Sequence, residues 1–357
     1  MGELKKYIVK LKPVGPFFFG GEKTFGSLKS QNYFTVSDVM PQVSSIVGLL
    51  RFLILKNNLG LDCKAIADEI GPESFTLSFT KCGDRDYVPN MGRLKSVSPV
   101  FITDPNSGAY YTRMPLDSGY SVSAVENVKG SHVSSGMVDI KKGDEAFEMK
   151  KFDNYMYWTK VTDGKVEKVK EDDFIKYDER IGINKGERNG DDHNFFKQKM
   201  VRFLGDEEFI FTTEIEENND VTLQGLTGEI VKLGASSLFR ISIEEGNIDW
   251  KEEFKSLRTS SAEKGKKEEM NKIILLSDMY LPDFSILYEK SIFVWGISKT
   301  FRSIITKSEE EHSWSNHKKS ALYRVLPAGT VIFFKDEEVP NLLSIKGLVT
   351  FGFNLFI

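Results

Sequence analysis

Residues 40–56 of this 357-residue chain read Met-Pro-Gln-Val-Ser-Ser-Ile-Val-Gly-Leu-Leu-Arg-Phe-Leu-Ile-Leu-Lys. From residue 46 to about 57 the apolar side chains cover nearly the whole circumference of a helix, so this stretch predicts a helix buried in a core. Ser44 or Ser45 is a suitable N-cap for that helix. One stripe of polar and small residues, spaced three apart, interrupts the apolar surface and would let another backbone approach closely: Ser45, Gly48 and Arg51.

A strand is predicted before this helix, because residues 7–12 (Tyr-Ile-Val-Lys-Leu-Lys) alternate with a period of two and Pro13 then ends the pattern. Between the strand and the helix, residues 20–30 are rich in glycine, serine and lysine and predict a loop. Backbone N–H groups and hydroxyls beside a helix N-terminus favour phosphate. Glycine-rich surface loops are equally common without any ligand, so the loop alone does not decide the function.

The rest of the chain predicts an α+β architecture of two sheet-plus-helix domains, residues 1–204 and 205–357. Residues 104–202 show few long periodic runs and predict loops and hairpins inserted into the first domain. One hairpin is expected at Tyr155–Glu167, where Asp163-Gly164 is a favoured tight turn. Further strands are predicted at 208–214, 237–243, 272–277, 291–297, 323–326 and 330–334, and helices at 225–234 and 250–257.

The net charge of −4, taken as a whole, argues against a nucleic-acid partner. The charge is unevenly distributed, however. Residues 1–56 hold eight basic and three acidic side chains, a net charge of +5, and residues 291–335 carry +4. Residues 203–253 carry thirteen acidic and three basic side chains, a net charge of −10. We therefore expect a basic groove on one side of the molecule and an acidic surface on the other. The alternative is that these charges scatter over the surface.

Catalysis, metal binding and cofactor binding have little support in the sequence. The two cysteines lack the spacing of a zinc site, the four histidines lie apart, and neither a P-loop nor a nucleophile elbow occurs. No cofactor is therefore expected. The N-terminal residues lack an apolar signal core, and the longest apolar run, 46–55, is short and contains Arg51, which predicts a cytoplasmic chain without a membrane span.

Four blocks in a fixed order carry a resemblance to a known family. Residues 40–51 resemble the Pro-x-x-x-x-h-x-Gly-h-h-Arg segment of the repeat-associated (RAMP) subunits of CRISPR effector complexes. Residues 179–183, 233–237 and 326–334 then follow in the order of one branch. Together the blocks look like the subunit that holds the 5′ end of the guide RNA in type III-B (Cmr) complexes. The C-terminal residues 346–353 depart from the family, because they contain only two glycines where a richer loop is usual.

The resemblance implies two ferredoxin-like, RRM-like domains with inserted loops and a β-hairpin thumb, for which Tyr155–Glu167 is the candidate. It also implies a non-catalytic subunit that grips the repeat-derived 5′ tag of the CRISPR RNA. The expected neighbours are the large polymerase/cyclase-like subunit and the first backbone RAMP subunit, with the target RNA nearby. The residues expected to contact the tag are Gly20, Gly21, Lys23, Thr24, Ser27, Lys29, Gln42, Ser44, Ser45, Arg51, Arg180, Lys185, Arg188, Lys318 and Lys319.

Three alternatives remain open at this stage. The first is the repeat-processing endoribonuclease of the same superfamily, for which His132 is the best general acid or base. The second is an interaction module that is held in a complex by its acidic surface and does not touch RNA. The third is the equivalent handle-binding subunit of a type III-A or III-D complex.

Overall fold

The fold was derived from a computed structural model, which describes residues 3–20, 34–56, 63–73, 75, 77–124, 138–148, 150, 152–183, 195–217, 222–234, 237–259, 270–302, 304–305, 318–319, 321–335 and 337–357. The strands are β1 (Glu3–Pro13), β2 (Phe34–Val36), β3 (Leu94–Val97), β4 (Phe101–Asp104), β5 (Ala109–Arg113), β6 (Ser121–Ala124), β7 (Val138–Lys142), β8 (Glu145–Ala146), β9 (Tyr157–Thr162), β10 (Lys165–Lys170), β11 (Ile175–Ile183), β12 (Phe195–Phe203), β13 (Glu208–Glu217), β14 (Ile230–Lys232), β15 (Leu238–Glu245), β16 (Asn271–Ile274), β17 (Ser291–Trp295), β18 (Lys299–Phe301), β19 (Ile304–Ile305), β20 (Lys318–Lys319), β21 (Tyr323–Val325) and β22 (Val331–Phe334). The helices are α1 (Val43–Lys56), α2 (Cys63–Ile70), α3 (Leu77–Thr80), α4 (Trp250–Glu253), α5 (Ser256–Thr259), α6 (Phe284–Lys290), α7 (Glu338–Leu343) and α8 (Lys346–Thr350). Within these ranges, none of the helices has the length and apolar character needed to cross a bilayer.

The larger sheet is organised around β1, which pairs antiparallel with β13 on one side and β15 on the other. Its nine strands run in the order β10-β9-β5-β4-β13-β1-β15-β14, and β3 also pairs with β13. The predicted alternation of β1 is confirmed, because Tyr7, Val9 and Leu11 are buried while the side chains between them point to the other face. Strand β1 is thus the centre of the N-terminal core.

Helix α1 covers the inner face of this sheet. Its buried side chains belong to the same core cluster as Val9, Leu11 and Phe211 of the sheet: Ile46, Val47, Leu49, Leu50, Leu53 and Ile54. The prediction of a buried helix is confirmed on that face. On the opposite face Gly48 and Phe52 are exposed, and a Cβ built on Gly48 would meet no atom within 4 Å. The stripe through Gly48 is therefore open.

A smaller sheet in the C-terminal part runs in the order β16-β22-β17. Residues 355–357 extend it, because the backbone N–H of Ile274 donates to Ile357 O (2.9 Å) and that of Leu276 donates to Leu355 O (2.9 Å). In space, β16 lies between β22, the third strand of this sheet in the chain, and residues 355–357. In the chain, α6 follows β16, and α7 and α8 precede residues 355–357. The larger sheet has the same strand order in β4, β13, β1 and β15, with α1 after the first strand, while the described residues before its last strand hold a 3-10 helix and β14. The mixed α and β composition, dominated by strands, agrees with the predicted fold class.

The predicted boundary between residues 204 and 205 falls between β12 and β13. Strand β13 pairs with β1 and β4, so the larger sheet contains strands from both sides of that boundary. The linking segment of α4 and α5 lies against both sheets. Trp250 and Phe254 share a second core cluster with Phe101 of the larger sheet and Phe333 of the smaller one.

The inserted region contains the predicted hairpins. Asp163 and Gly164 both have positive φ, +48° and +74°, which is the type I′ turn expected between β9 and β10. Strand β9 also pairs with β5, so this hairpin forms the edge of the larger sheet, and the pairing does not by itself identify a thumb. A longer hairpin, β11 with β12, pairs over nine residues on each strand.

Two helix predictions were wrong in detail. Residues 225–234 do not form a helix: a 3-10 helix covers Leu223–Leu226, and β14 follows because its backbone pairs with β15. The helix predicted at 250–257 is two short ones, α4 and α5, separated by a turn. The Asp249 carboxylate caps α4 by accepting from the backbone N–H of Lys251 (3.1 Å).

Candidate nucleic-acid interface

The segment from Phe34 to Val43 connects a small three-stranded sheet to the start of α1. Strand β2 pairs in parallel with β12, and β12 pairs antiparallel with β11. The backbone N–H of Ser37 donates to Lys199 O (2.9 Å), and that of Asp38 donates to Phe19 O (2.9 Å). The Ser37 hydroxyl accepts from the Phe19 N–H (2.8 Å). These bonds hold Phe19, which precedes the predicted phosphate loop, against Ser37 and Asp38 in the segment that leads to α1.

Helix α1 begins at Val43, earlier than predicted. The carbonyl of Gln42 accepts from the backbone N–H groups of Ser45 (2.9 Å) and Ile46 (3.3 Å). Gln42 therefore occupies the cap position, and Ser44 and Ser45 lie in the first turn instead of capping the helix. All three residues are partly exposed, so both serine hydroxyls remain accessible from solvent.

Several predicted contact residues lie outside the described residues. They are Gly21, Lys23, Thr24, Ser27 and Lys29 of the loop, and Lys185 and Arg188 between β11 and β12. His132 is also outside them. Lys318 and Lys319 form β20, whose backbone pairs with β19.

Arg51 makes a structural contact. Its guanidinium donates to the Gly71 carbonyl (2.9 Å), while its Nε is buried without a hydrogen-bond partner among the described residues. Burial lowers the pKa of Arg51. The side chain thus joins α1 to the segment that follows α2.

The basic side chains of β1 do not form a basic surface. Lys6 pairs with Glu214 (3.0 Å), Lys10 with Glu244 (3.0 Å) and Lys12 with Asp206 (2.8 Å). Lys5 lies 3.5 Å from Glu217, and Lys56 pairs with Glu229. These five bases belong to the segment with a net charge of +5, and their partners belong to the segment with −10. The expectation of a basic N-terminal surface opposite a free acidic one is therefore wrong for these residues, because the antiparallel pairing of β1 places the two segments side by side.

An exposed basic and apolar face occurs instead on the β2–β12–β11 sheet, and we call it the platform. Five partly or fully exposed side chains define it: Phe34, Val36, Ile181, Lys197 and Lys199. The cross-strand register places Lys197 between Phe34 and Ile181, and the Lys197 ammonium lies 5.7 Å from the centre of the Phe34 ring. This face could not be predicted from the sequence, because β2 has only three residues and its partner strand β12 lies about 160 residues away in the chain.

The cations of β11 and β12 differ in their partners. Lys197 pairs with Glu179 (2.7 Å) and Arg202 with Asp178 (3.1 Å). Lys199 lies 5.9 Å from the centre of the Tyr177 ring, and no described carboxylate forms an ion pair with it. Arg180 is also exposed without a described carboxylate partner, but it lies beside Gln198 on the face opposite the platform.

The hairpin is attached to the larger sheet through the partly buried carboxylate of Glu171. Glu171 accepts hydrogen bonds from Arg113 (2.7 Å), from the Trp158 indole (2.9 Å) and from the Tyr177 hydroxyl (2.8 Å). Burial acts to raise the pKa of Glu171, but the Arg113 charge and these hydrogen bonds outweigh it and lower the pKa. Tyr177 belongs to β11, so this network fixes the start of the hairpin.

A groove of about 870 Å³ lies between the two sheets, next to the platform. Residues 38–43 form part of its wall, together with 111–116, 152–158 and 293–301. Lys299 pairs with Asp278 (2.7 Å) in this wall. The Asp38 carboxyl lies in this wall, where desolvation by the surrounding protein, partly offset by Lys299 and Arg113, raises its pKa. The described residues contain no cluster of His, Cys, Asp and Glu suited to a metal ion.

Comparisons with known proteins were made for the whole chain. A family model described as CRISPR-associated protein (Cas_Cmr3) matches residues 9–355. No protein of curated function matches the sequence. A chain in the cryo-EM structure of the Type III-B Cmr-beta bound to cognate target RNA has 12% identity and a TM-score of 0.51, over 99% of this chain and 96% of that one. A chain of the same assembly with target RNA and AMPPnP has 13% identity and a TM-score of 0.49, over 99% and 96%. At this identity the first match shows a shared fold.

Proposed function

The chain belongs to the CRISPR-associated Cas_Cmr3 family, and from that premise we propose that it is a non-catalytic subunit of a type III-B (Cmr) effector complex that binds the 5′ tag of the CRISPR RNA. The match extends over residues 9–355, so the proposal concerns both sheets and not one module. The solved chain that shares this fold comes from a Cmr-beta assembly with target RNA, which supports placing this chain in an RNA-containing effector complex.

The strand order supports RNA recognition by ferredoxin-like domains. In each sheet the first strand lies between the third strand and the last, with a helix after the first strand, which is the order of a β-α-β-β-α-β unit. RNA-binding modules of this kind bind single-stranded RNA, and its unstacked bases stack on aromatic side chains of the module. The shared strand order of the two sheets therefore supports the proposal that the chain contains two such units.

The observation that carries the proposal is the platform. Phe34 is 44% exposed and lies beside Lys197. Lys199 is two residues further along β12, beside Val36 on the same face. An exposed ring with Lys199, a lysine that has no described carboxylate partner, on the same face suits a single strand, because a base stacks on the ring and a phosphate contacts the cation, whereas Lys197 is already paired with Glu179. The platform is continuous with the start of α1 through residues 37–42.

The helix start and the preceding loop are proposed to hold phosphates. Gly20 follows Phe19, whose N–H donates to the Ser37 hydroxyl just after β2, and Gln42, Ser44 and Ser45 follow β2 in the chain. Gly21, Lys23, Thr24, Ser27 and Lys29 continue the chain from Gly20. Arg180, Lys185 and Arg188 are proposed to contact the tag or a neighbouring subunit, and Lys318 and Lys319 are weaker candidates. Arg51 is reassigned to a structural role, because its guanidinium is bonded to Gly71.

The test is the protection of the guide 5′ end in a reconstituted effector complex. With the wild-type chain, the tag should resist a 5′ exonuclease, and a complex assembled without the chain should leave it open. A complex carrying Phe34→Ala and Lys199→Ala should give intermediate protection, whereas Lys10→Ala, a lysine paired with Glu244, should behave as wild type. Equal protection with and without the chain would refute the proposal.

The absence of catalysis is a separate proposal with its own test. Incubating the purified chain with repeat RNA should leave the RNA intact. Cleavage that is lost in His132→Ala would instead assign the chain to the repeat-processing endoribonucleases.

The neighbours proposed for this subunit are the large polymerase/cyclase-like subunit and a backbone RAMP subunit. The acids of β13 and β15 that face β1 are occupied by lysines, so they are poor candidates for the contact. Cross-linking of the assembled complex should identify which neighbour lies on the exposed face of α1 around Gly48 and Phe52.

A further inference from the structure

The groove between the two sheets has the size and lining of a site for a planar ligand. Its volume of about 870 Å³ exceeds that needed for one nucleotide and falls within the range of small-molecule sites. One wall is aromatic: the rings of Phe152 and Trp295 are 5.3 Å apart, and Tyr155 lies 6.4 Å from Phe152. Tyr155 is 58% exposed, so a ligand can reach this wall from solvent.

The charges of the groove favour a neutral ring over a phosphate. The two cations in its wall are already paired, Arg113 with Glu171 (2.7 Å) and Lys299 with Asp278 (2.7 Å). Asp38 adds a further carboxyl group, and no described side chain donates a hydrogen bond to it. A carboxyl and the Gln42 amide present acceptors and donors, which match the edge of a nucleobase.

The groove is also directly connected to the platform. Phe34 and Val36 belong to the platform, and Asp38 begins the segment that lines the groove. Two extended residues span about 7 Å, so Asp38 in the groove wall lies no more than about 7 Å along the chain from Val36 of the platform. Single-stranded RNA is recognised through bases that are unstacked from their neighbours and inserted into such sites.

We propose that the groove receives one nucleobase of the bound tag, which stacks on the exposed Tyr155 ring of the aromatic wall formed with Phe152 and Trp295, while Asp38 and Gln42 contact its edge. This inference rests on the proposed function, because the base is delivered by the tag RNA. Of the residues proposed to contact this base, only Gln42 was predicted from the sequence to contact the tag.

The experiment measures binding of the full chain to a set of tag RNAs, each with one nucleotide made abasic so that the phosphate remains and the base is absent. For the wild-type chain, one abasic position should weaken binding by about tenfold, the expected effect of one lost stacking contact. The Tyr155→Ala chain should bind the intact tag about tenfold more weakly and lose nothing further at that position. Tyr288→Ala is the matched control, because Tyr288 is a similarly exposed tyrosine (52%) outside the groove.

A second measurement tests the contact with the base edge. Placing each of the four bases at that tag position should give one preferred base for the wild-type chain, and Asp38→Asn should change the preference, since an amide replaces an acceptor by a donor. A preference that is identical in both chains would remove Asp38 from the site.

The outcomes separate this inference from the proposed function. If the tag binds and the abasic scan is flat, or if no position depends on Tyr155, the groove does not hold a tag base although the chain still binds the tag. If a free mononucleotide binds in a Tyr155-dependent manner while the scan is flat, the ligand is a nucleotide in solution and the inference is wrong. If the tag does not bind at all, the proposed function fails, and this inference fails with it.

Discussion

Two regions of the molecule carry many lysines, and they differ in what faces those lysines. On β1 each of Lys6, Lys10 and Lys12 pairs with a carboxylate of β13, β15 or the turn before β13. On the platform, Lys197 has one carboxylate partner, and both Lys197 and Lys199 lie near exposed or partly exposed aromatic rings. The local positive charge in the sequence is therefore a poor guide to RNA binding, since the strand opposite a lysine decides whether its charge is available.

The difference has an energetic side. An exposed ion pair stabilises a fold by about 0–1 kcal/mol, so the β1 pairs mainly neutralise charge within the sheet. A cation without a carboxylate partner keeps its charge for a phosphate, and release of counterions from the RNA then favours binding.

The largest effect is expected from detaching the platform from the larger sheet. Glu171→Gln removes the charge that Arg113 and the Tyr177 hydroxyl contact, and we expect the free energy of unfolding at pH 7 to fall by about 2 kcal/mol. Because the pKa of Glu171 is lowered in the folded chain, its stabilising effect is present above the ordinary carboxyl value of 4.5 and is lost as the pH falls through the folded pKa. The difference between the two chains should therefore shrink in acid.

Denaturant unfolding at several pH values measures this effect. Glu179→Gln is the matched control, because Glu179 is an exposed acid of the same hairpin that pairs with Lys197. A loss of stability that is equal in the two variants, or that does not depend on pH, would contradict the role given to the Glu171 network.

The second prediction concerns the exposed ring of the platform. Phe34→Ala should weaken binding of the 5′ tag RNA about tenfold, or by about 1.4 kcal/mol, because one base loses its stacking partner. Fluorescence anisotropy with a labelled tag RNA measures the change, and Tyr288→Ala should bind as wild type. Unchanged affinity in Phe34→Ala would show that the RNA does not use the platform.

The sequence predicted the local elements of the fold better than it predicted the site. The alternation at residues 7–12, the apolar run after Ser45 and the Asp163-Gly164 turn are local signals, and the structure contains β1, α1 and the β9–β10 hairpin at those places. The start of α1 was missed by three residues, because Gln42 caps the helix with its backbone carbonyl and leaves no side-chain signal.

The site depended on pairings between distant segments. Strand β2 is short and its partner β12 follows about 160 residues later, so the sequence around Phe34 contains no local pattern that predicts the platform. The neutralisation of β1 likewise depends on a register with residues about 200 positions away. Sequence composition gives the net charge of a segment, but the facing of side chains appears only once the strand order is known.

The third prediction measures the charge of the platform. Lys199→Ala should weaken tag binding and lower the slope of log affinity against log salt by about 0.7, the value for one phosphate contact with a single strand. Affinities measured at four or more salt concentrations give the slope. A slope equal to that of the wild-type chain would mean that Lys199 does not contact a phosphate.

The smallest effect is expected for Lys10→Ala. Lys10 and Glu244 are 3.0 Å apart with 31% and 54% of their side chains exposed, so losing the pair should cost about 0.2–1 kcal/mol of unfolding free energy. The salt slope of tag binding should not change, because the Lys10 charge is already balanced by Glu244. If the slope fell as far as in Lys199→Ala, the RNA would lie on the β1 face and the contrast between the two regions would be lost. An unchanged slope in Lys10→Ala would instead show that a lysine contributes to RNA binding in this fold only when no carboxylate on a neighbouring strand is paired with it.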